Sequence, residues 1–414
     1  MNSRERILTA CNHKEADRVP IDCGSMRSTG ISAIVYNKLK SELGLKQPCL
    51  MYDFQQQLAY TGDELRDFFH VDSMDVGEAF IGDLQKDWRE WILPDGSLCL
   101  LPKYIDARRE DNVTYLYDSS GFKVGKQPHS SLYCDQIFYP YGDLEAIPEL
   151  LDESVYSHTM WSVPAFPFNL DLTNSEEDYR KFVSTIKGFR KKTDRALMIS
   201  MGHSFFEFGG FIRQTENFLC DIMIDRINVE RLLNTLEERY MIKLERIMRD
   251  VSDDIDIVQF GDDLGTQNGP WMNPELIRDL FVPHYKKLWD YVHRNSKCKV
   301  FMHNCGSISS ILGYLIDAGL DIINPVQTTA ANMDPVMLKR EFGRDLTFWG
   351  GGCETQKVLT SGTAEQVCDQ VRRRIEILGK DGGFVFNQIH NILANVPVEN
   401  VLTMYKTAYD YGVY

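Results

Sequence analysis

The chain has 414 residues, 43% of them hydrophobic, with 45 basic against 60 acidic side chains and a formal net charge of -15. That length and apolar content suffice for a large core. The acidic balance argues against a nucleic-acid binder or a ligand of anionic membranes, because phosphates are repelled over most of such a surface. The first residues, Met1-Asn2-Ser3-Arg4-Glu5-Arg6, do not lead into an apolar signal segment, and no window is apolar enough to span a bilayer. The ten cysteines are scattered, so a cytoplasmic protein with reduced thiols and no membrane partner is expected.

In chain order, Asp17–Cys23 reads as a first strand and Ala33–Leu45 as a helix after it. From Trp88 to Tyr139 the sequence is dense in Gly, Asp and Tyr. Hairpin-turn chemistry stands at Asp95-Gly96 and Ser119-Ser120-Gly121, with strand-like pieces at Val113–Tyr117 and Phe122–Val124. This predicts an antiparallel insertion, residues 88–139, either a surface elaboration or a lid over a substrate. The second half then alternates. Short runs rich in β-branched and aromatic residues (Ala196–Met201, Ile255–Phe260, Lys299–Met302, Leu320–Val326, Leu346–Trp349, Gly383–Ile389) are separated by amphipathic helices such as Pro274–Arg294 and Ala364–Leu378. Strand then helix, repeated, means parallel strands with right-handed crossovers. The expected fold is a (β/α)8 barrel forming one domain over residues 1–414, with its site at the carboxyl ends of the strands.

Several of those ends are polar. Lys299–Met302 runs into His303-Asn304-Cys305-Gly306, and Leu346–Trp349 into Gly350-Gly351-Gly352-Cys353-Glu354. In a parallel barrel both ends open on one face, so His303, Cys305 and Cys353 can converge. One imidazole and two thiolates suit zinc, and three protein ligands leave the open position of a catalytic ion. The alternative reading is a histidine and two small buried thiols that simply pack. Asp262-Asp263, Gln327, His390-Asn391, and His203 with Glu207 follow other runs. Asp262, Gln327 and His390 are candidates for substrate positioning or proton handling; each also has a plainer reading as a cap or turn residue. The glycine run at Gly350 lacks dinucleotide spacing and serves a backbone turn.

Several stretches together resemble the uroporphyrinogen decarboxylase superfamily, and most closely its corrinoid-linked zinc methyltransferase branch, of the methylcobamide:coenzyme M methyltransferase or O-demethylase kind. They are Asp17-Arg18-Val19-Pro20, Ser28-Thr29-Gly30-Ile31, Phe260-Gly261-Asp262-Asp263 running to Gln267, His303-Asn304-Cys305-Gly306-Ser307, Asn324-Pro325-Val326-Gln327, Phe348-Trp349-Gly350-Gly351-Gly352 and Val385-Phe386-Asn387 running to His390-Asn391. The resemblance implies a (β/α)8 barrel. It implies zinc held by the His-x-Cys of His303 and Cys305 and by a later cysteine matched by Cys353. It also implies methyl exchange between a small methylated molecule or a thiol and a corrinoid on a separate small protein. The decarboxylases bind a many-carboxylate tetrapyrrole through an arginine-rich N-terminal segment. Here the corresponding stretch, Asp22–Gly30, offers one arginine, Arg27. A tetrapyrrole decarboxylase and a non-catalytic corrinoid- or tetrapyrrole-binding barrel are the alternative readings.

Overall fold

The computed structural model describes residues 1–163 and 175–414. Seven strands lie side by side, each parallel to the next: β1 (Ser73–Asp75), β2 (Ala196–Gly202), β3 (Ile257–Gly261), β4 (Lys299–His303), β5 (Ile322–Asn324), β6 (Thr347–Trp349) and β7 (Phe384–Val385). The six apolar runs of the second half all become strands of this sheet; those expected to end at Met201, Phe260 and Met302 run one residue further, and the other three are shorter than expected. β1 was not foreseen. The stretch expected as a first strand, Asp17–Cys23, contributes a single parallel bridge, Ile21 to Phe386. That bridge closes the ring: Asp22 N donates to Phe386 O, Phe386 N to Pro20 O, and Asp72 N to Ile21 O. Segment 20–22 thus occupies the gap between β7 and β1, and eight parallel segments surround one axis, the (β/α)8 arrangement.

Side-chain alternation fills this ring. Ala196, Met198, Ile257, Phe301, Ile322, Trp349 and Val385 point inward and form one buried cluster with Ile7 and Cys11 of the N-terminal helix Ser3–Cys11. Their neighbours Val300, Met302, Val258 and Phe348 point outward, into the larger core beneath the helices. The helix Ala364–Arg374 obeys its pattern, burying Val367 and Val371. The N-terminal helix plugs the end of the barrel where the strands begin, since Gly383 N donates to Ala10 O and Arg4 N to Asp194 O. The opposite end, where the strands finish, is left for function.

The insertion is antiparallel, as its turn chemistry predicts. Trp88–Ile92 pairs with Leu98–Pro102, and Asp106–Glu110, Val113–Tyr117, Lys123–Pro128 and Asp135–Gln136 form a meander. It packs beside the barrel mouth, where Cys134 N donates to Gln55 O and Gln136 Nε2 to Phe211 O. Among the described residues no helix is long and apolar enough to cross a membrane.

Closure is reinforced at the plugged end by Asp72, fully buried between β1 and segment 20–22. Its carboxylate takes Arg6 at 2.6 Å, Arg18 at 2.8 Å and the backbone N–H of Ile21 at 2.9 Å. Removing it leaves two guanidinium groups and an amide without their shared acceptor. Asp72→Ala is expected to cost about 3 kcal/mol or more of stability, read from the midpoint of urea unfolding. A loss below about 0.5 kcal/mol, the range of an ordinary surface substitution, would show that closure does not depend on this residue.

Candidate functional site

β4 lies between β3 and β5, and the register sets His303 opposite Gly261 on one side and Asn324 on the other. Gly261 has no side chain, so the imidazole faces open space there. On the other side, Asn324 fixes the ring. Its Nδ2 donates to Trp349 O at 2.8 Å, which turns its Oδ1 toward His303 Nδ1 at 2.7 Å. Nδ1 therefore carries the proton, and Nε2 presents a lone pair. Around that lone pair stand Cys305 Sγ and Ser28 Oγ, each at 3.3 Å, and Asp263 Oδ1 at 3.7 Å.

The loop after β4 is held so that Cys305 doubles back on His303. Cys305 N donates to Asp263 Oδ1 and Gly306 N to Gln327 Oε1, both at 2.8 Å, and Asn304 Oδ1 accepts from Leu264 N at 2.9 Å. Gly306 has φ +89°, and a Cβ there would lie 2.6 Å from the Gly265 carbonyl carbon. The glycine of the His-x-Cys-Gly element is thus required both by its φ and by the close approach of two loops.

The third member of the cluster arrives from the loop after β7. One ligand atom each from His303, Cys305 and His390 lies within 4.8 Å of the others, and all three side chains are half-buried. The two imidazole rings meet edge to face at 5.7 Å. Burial, with the neighbouring His303, lowers the His390 pKa to about 4, so this ring is neutral at pH 7. Burial and the carboxylates of Asp263 and Glu207 push the Cys305 thiol well above its ordinary value. Two imidazoles and a thiol that ionises only against a cation form a metal-binding donor set. Zinc bonds of about 2.0–2.1 Å to nitrogen and 2.3 Å to sulfur set a nitrogen–sulfur edge of roughly 3.5–3.6 Å at a tetrahedral angle, and the Cys305–His303 separation of 3.3 Å is close to it.

Cys353, expected as the third ligand, is not part of this cluster. It is 0% exposed, lies in the apolar core, and its Sγ has only the Glu354 carbonyl for company, at 4.0 Å. The glycine run before it takes left-handed φ at Gly350 and Gly351, and Gly350 N and Gly352 N bond to Val385 O and Asn387 O. The loop is thereby laced to the β7 segment and carries Cys353 inward. Asp262 is also fully buried and turned from the cavity. It accepts from Phe205 N, Phe206 N and Glu207 N, each at 2.8 Å, and from Tyr285 Oη at 2.5 Å. It anchors the start of the helix Phe206–Arg213, and burial pushes its carboxyl up to about 6. Its neighbour Asp263 is the carboxylate that faces the cavity. Gln327 positions the Cys305 loop through Gly306 rather than facing a substrate. Ser28 and Asn324 had no role assigned from sequence, and Asp263 was read only with Asp262, as a polar strand end or a turn cap. Asp263 and Ser28 lie in polar strand-end and loop stretches, whereas only the β4–β5 register reveals Asn324.

A cavity of about 450 Å³ opens beside the cluster. Its walls include Ser28, His203, Glu207, Tyr240 and Asp263 together with His303 and His390. Among the described residues, none of the 88–139 insertion lines it. The outer wall comes instead from Tyr156, Thr159, Trp161 and Ser162. The insertion buttresses that wall, since Asp118 binds His158 Nδ1 at 2.5 Å and Phe122 packs on the same ring.

Residues 170–411 match a family model described as Uroporphyrinogen decarboxylase (URO-D). Among solved structures, a methyltransferase from Methanosarcina mazei is similar over 99% of this chain and 99% of its own, with a TM-score of 0.58 and 14% sequence identity. At that identity the likeness carries the fold alone. No curated protein matches the sequence.

The adjacent carboxylates separate cleanly by experiment. Asp262→Ala strips the acceptor from three backbone amides and a buried tyrosine, and is expected to lose about 3 kcal/mol or more. Asp263→Ala removes one loop hydrogen bond and is expected to lose about 1 kcal/mol. Urea unfolding of the two variants tests this; equal losses would contradict the division of roles.

Proposed function

Taking as premise that this chain belongs to the uroporphyrinogen decarboxylase family, over residues 170–411, we propose that it is a zinc-dependent methyltransferase exchanging a methyl group between a small methylated molecule or thiol and a corrinoid borne by a separate small protein. The observation that carries this reading is the convergence of His303, Cys305 and His390 on one point, with both histidines on the cavity wall. The ligand set is revised from the expected one: His390 takes the place of Cys353. The methyltransferase with the same overall fold supports the choice of reaction class.

When bound, zinc supplies Lewis acidity, polarising the carbon–heteroatom bond of a methylated substrate or lowering the pKa of a thiol. The chain's own groups do the rest. His303 would hold zinc through Nε2, since Asn324 Oδ1 faces Nδ1. Cys305 would hold the ion through Sγ, beside the Asp263 carboxylate. Three protein ligands leave a position for substrate on the cavity side. Trp161, Phe208 and Phe211 add apolar side chains to the same cavity. Tetrapyrrole decarboxylation is less well supported. The one arginine of the N-terminal stretch, Arg27, is ion-paired to buried Asp53 at 2.7 Å and is not free to meet a row of propionates.

Metal analysis tests the ligand set. Protein purified without added metal is expected to hold about one zinc per chain. Cys305→Ser and His390→Ala should each lose most of it, and Cys353→Ala should keep it. Zinc retained by Cys305→Ser and lost from Cys353→Ala would overturn the assignment. Asn324→Ala frees the His303 ring and is expected to weaken zinc affinity roughly 10–100-fold, measured by competition with a chromogenic chelator. Methyl transfer itself is read from the visible spectrum of cobalamin: methylcobalamin with a thiol acceptor, or cob(I)alamin with a methoxylated donor, should interconvert only with the zinc-loaded protein.

A further inference from the structure

A second cavity lies within the 88–139 insertion. Its volume is about 360 Å³, and it shares no lining residue with the cavity at the barrel mouth. That size falls in the range of small-molecule sites.

Its floor is one face of the meander. In antiparallel strands alternate residues share a face, and directly paired residues stand side by side on it. Ala107, Leu116 and Gly125 pair across the strands Asp106–Glu110, Val113–Tyr117 and Lys123–Pro128, and all three are buried. Arg108, Tyr115 and Lys126 pair on the opposite face. The next row on the buried face would be apolar if its only task were to cover the core. It is instead Arg109, Thr114 and Gln127, paired in the same way, and all three line the cavity. The hairpin that pairs Trp88–Ile92 with Leu98–Pro102 supplies Trp91, Leu93 and Pro94 as the apolar wall.

Arg109 has no acid partner. Among the described residues its guanidinium donates one hydrogen bond, to Ile92 O, and lies over the Trp91 ring at 4.5 Å, with no carboxylate in ion-pair reach. The neighbouring arginines are committed: Arg108 pairs with Asp106 at 2.5 Å, and Arg89 donates to the carbonyls of Ile105 and Ala107. In a chain of net charge -15, an unpaired guanidinium on a cavity wall is an anion receptor whose counter-charge has to come from outside the fold. The Thr114 hydroxyl beside it adds an O–H donor.

We propose that this cavity is a second ligand site, for a small planar monocarboxylate. The carboxylate sits on Arg109 and Thr114, and the flat apolar body lies against Trp91, Leu93 and Pro94. A carboxylate matches the guanidinium fork. With Arg109 facing Asp111 across the same cavity, one negative charge suits the site better than a phosphate dianion.

Calorimetric titration of the full chain tests the site with benzoate, with benzamide as its neutral isostere, with benzylamine as a cation, and with inorganic phosphate. Benzoate is expected to bind at least about tenfold tighter than each of the other three. Arg109→Gln should abolish the preference for benzoate over benzamide, and Arg109→Lys, which keeps the charge without the fork, should retain part of it. Thr114→Val, nearly the same in shape, should weaken benzoate several-fold, and the melting temperature should stay that of the wild type in all three variants. In wild-type protein the indole N–H resonance of Trp91, identified by its loss in Trp91→Phe, should shift with benzoate and saturate with the calorimetric affinity, a readout that requires no change at Arg109. No binding of benzoate, equal affinity for benzamide, tighter binding of phosphate or of the amine, an unmoved Trp91 resonance, or a preference that survives in Arg109→Gln would each overturn the proposal.

Discussion

The site depends on how the barrel closes. Segment 20–22 is too short to stand as a strand, yet its amides and carbonyls fill the gap between β7 and β1 through hydrogen bonds to Phe386 and Asp72. The Asp22 side chain then stitches the interior, accepting from Ser73 Oγ and Trp349 Nε1, both at 2.8 Å. A parallel sheet open at this point would expose two rows of unpaired backbone groups. Closure also brings Ser28, which follows this segment, to within 3.3 Å of His303, and sets the loop after β7, with His390, against the loop after β4. No metal-binding constellation would form across an open edge.

Once the ring is closed, the chemistry is aimed by neutral hydrogen bonds more than by charge. A chain from Trp349 O through Asn324 to His303 Nδ1 sets one tautomer and one ring plane. The loop after β4 is pinned at three successive residues by Asn304, Asp263 and Gln327. Adjacent carboxylates divide the work according to burial. Asp262 is spent on backbone amides and Tyr285, and Asp263 borders the reacting space. At the other end of the strands the buried acids Asp72 and Asp256 are saturated by arginines and amides, which makes that end a stability face.

The (β/α)8 class was legible in the sequence because a strand buried on both faces has a distinctive composition, and six such runs alternate with helical periodicity from Ala196 to Ile389. The insertion was legible because Asp95-Gly96 and Ser119-Ser120-Gly121 prescribe reversals that need no tertiary partner. β1 was not, being three residues whose strand character comes from pairing with β2 rather than from composition. The site was legible as a rim: His303, Cys305, His390 and His203 all follow strand ends, and a parallel topology sends every such end to one face.

Which rim residues meet was decided only by the tertiary structure. Cys353 and His390 stand at equivalent places, each in a loop just past a strand, and composition favoured the thiol as the partner of Cys305. The direction of a side chain in such a loop depends on backbone dihedrals and on the neighbours the loop is laced to. Left-handed glycines and hydrogen bonds to the β7 segment turn Cys353 into the core, while His390 is left facing His303. Sequence by itself determined the six strands from Ala196 onward, their shared face and the donor types on it. The choice among those donors came from long-range packing, because local sequence fixes where a strand ends but not which way the chain turns after it.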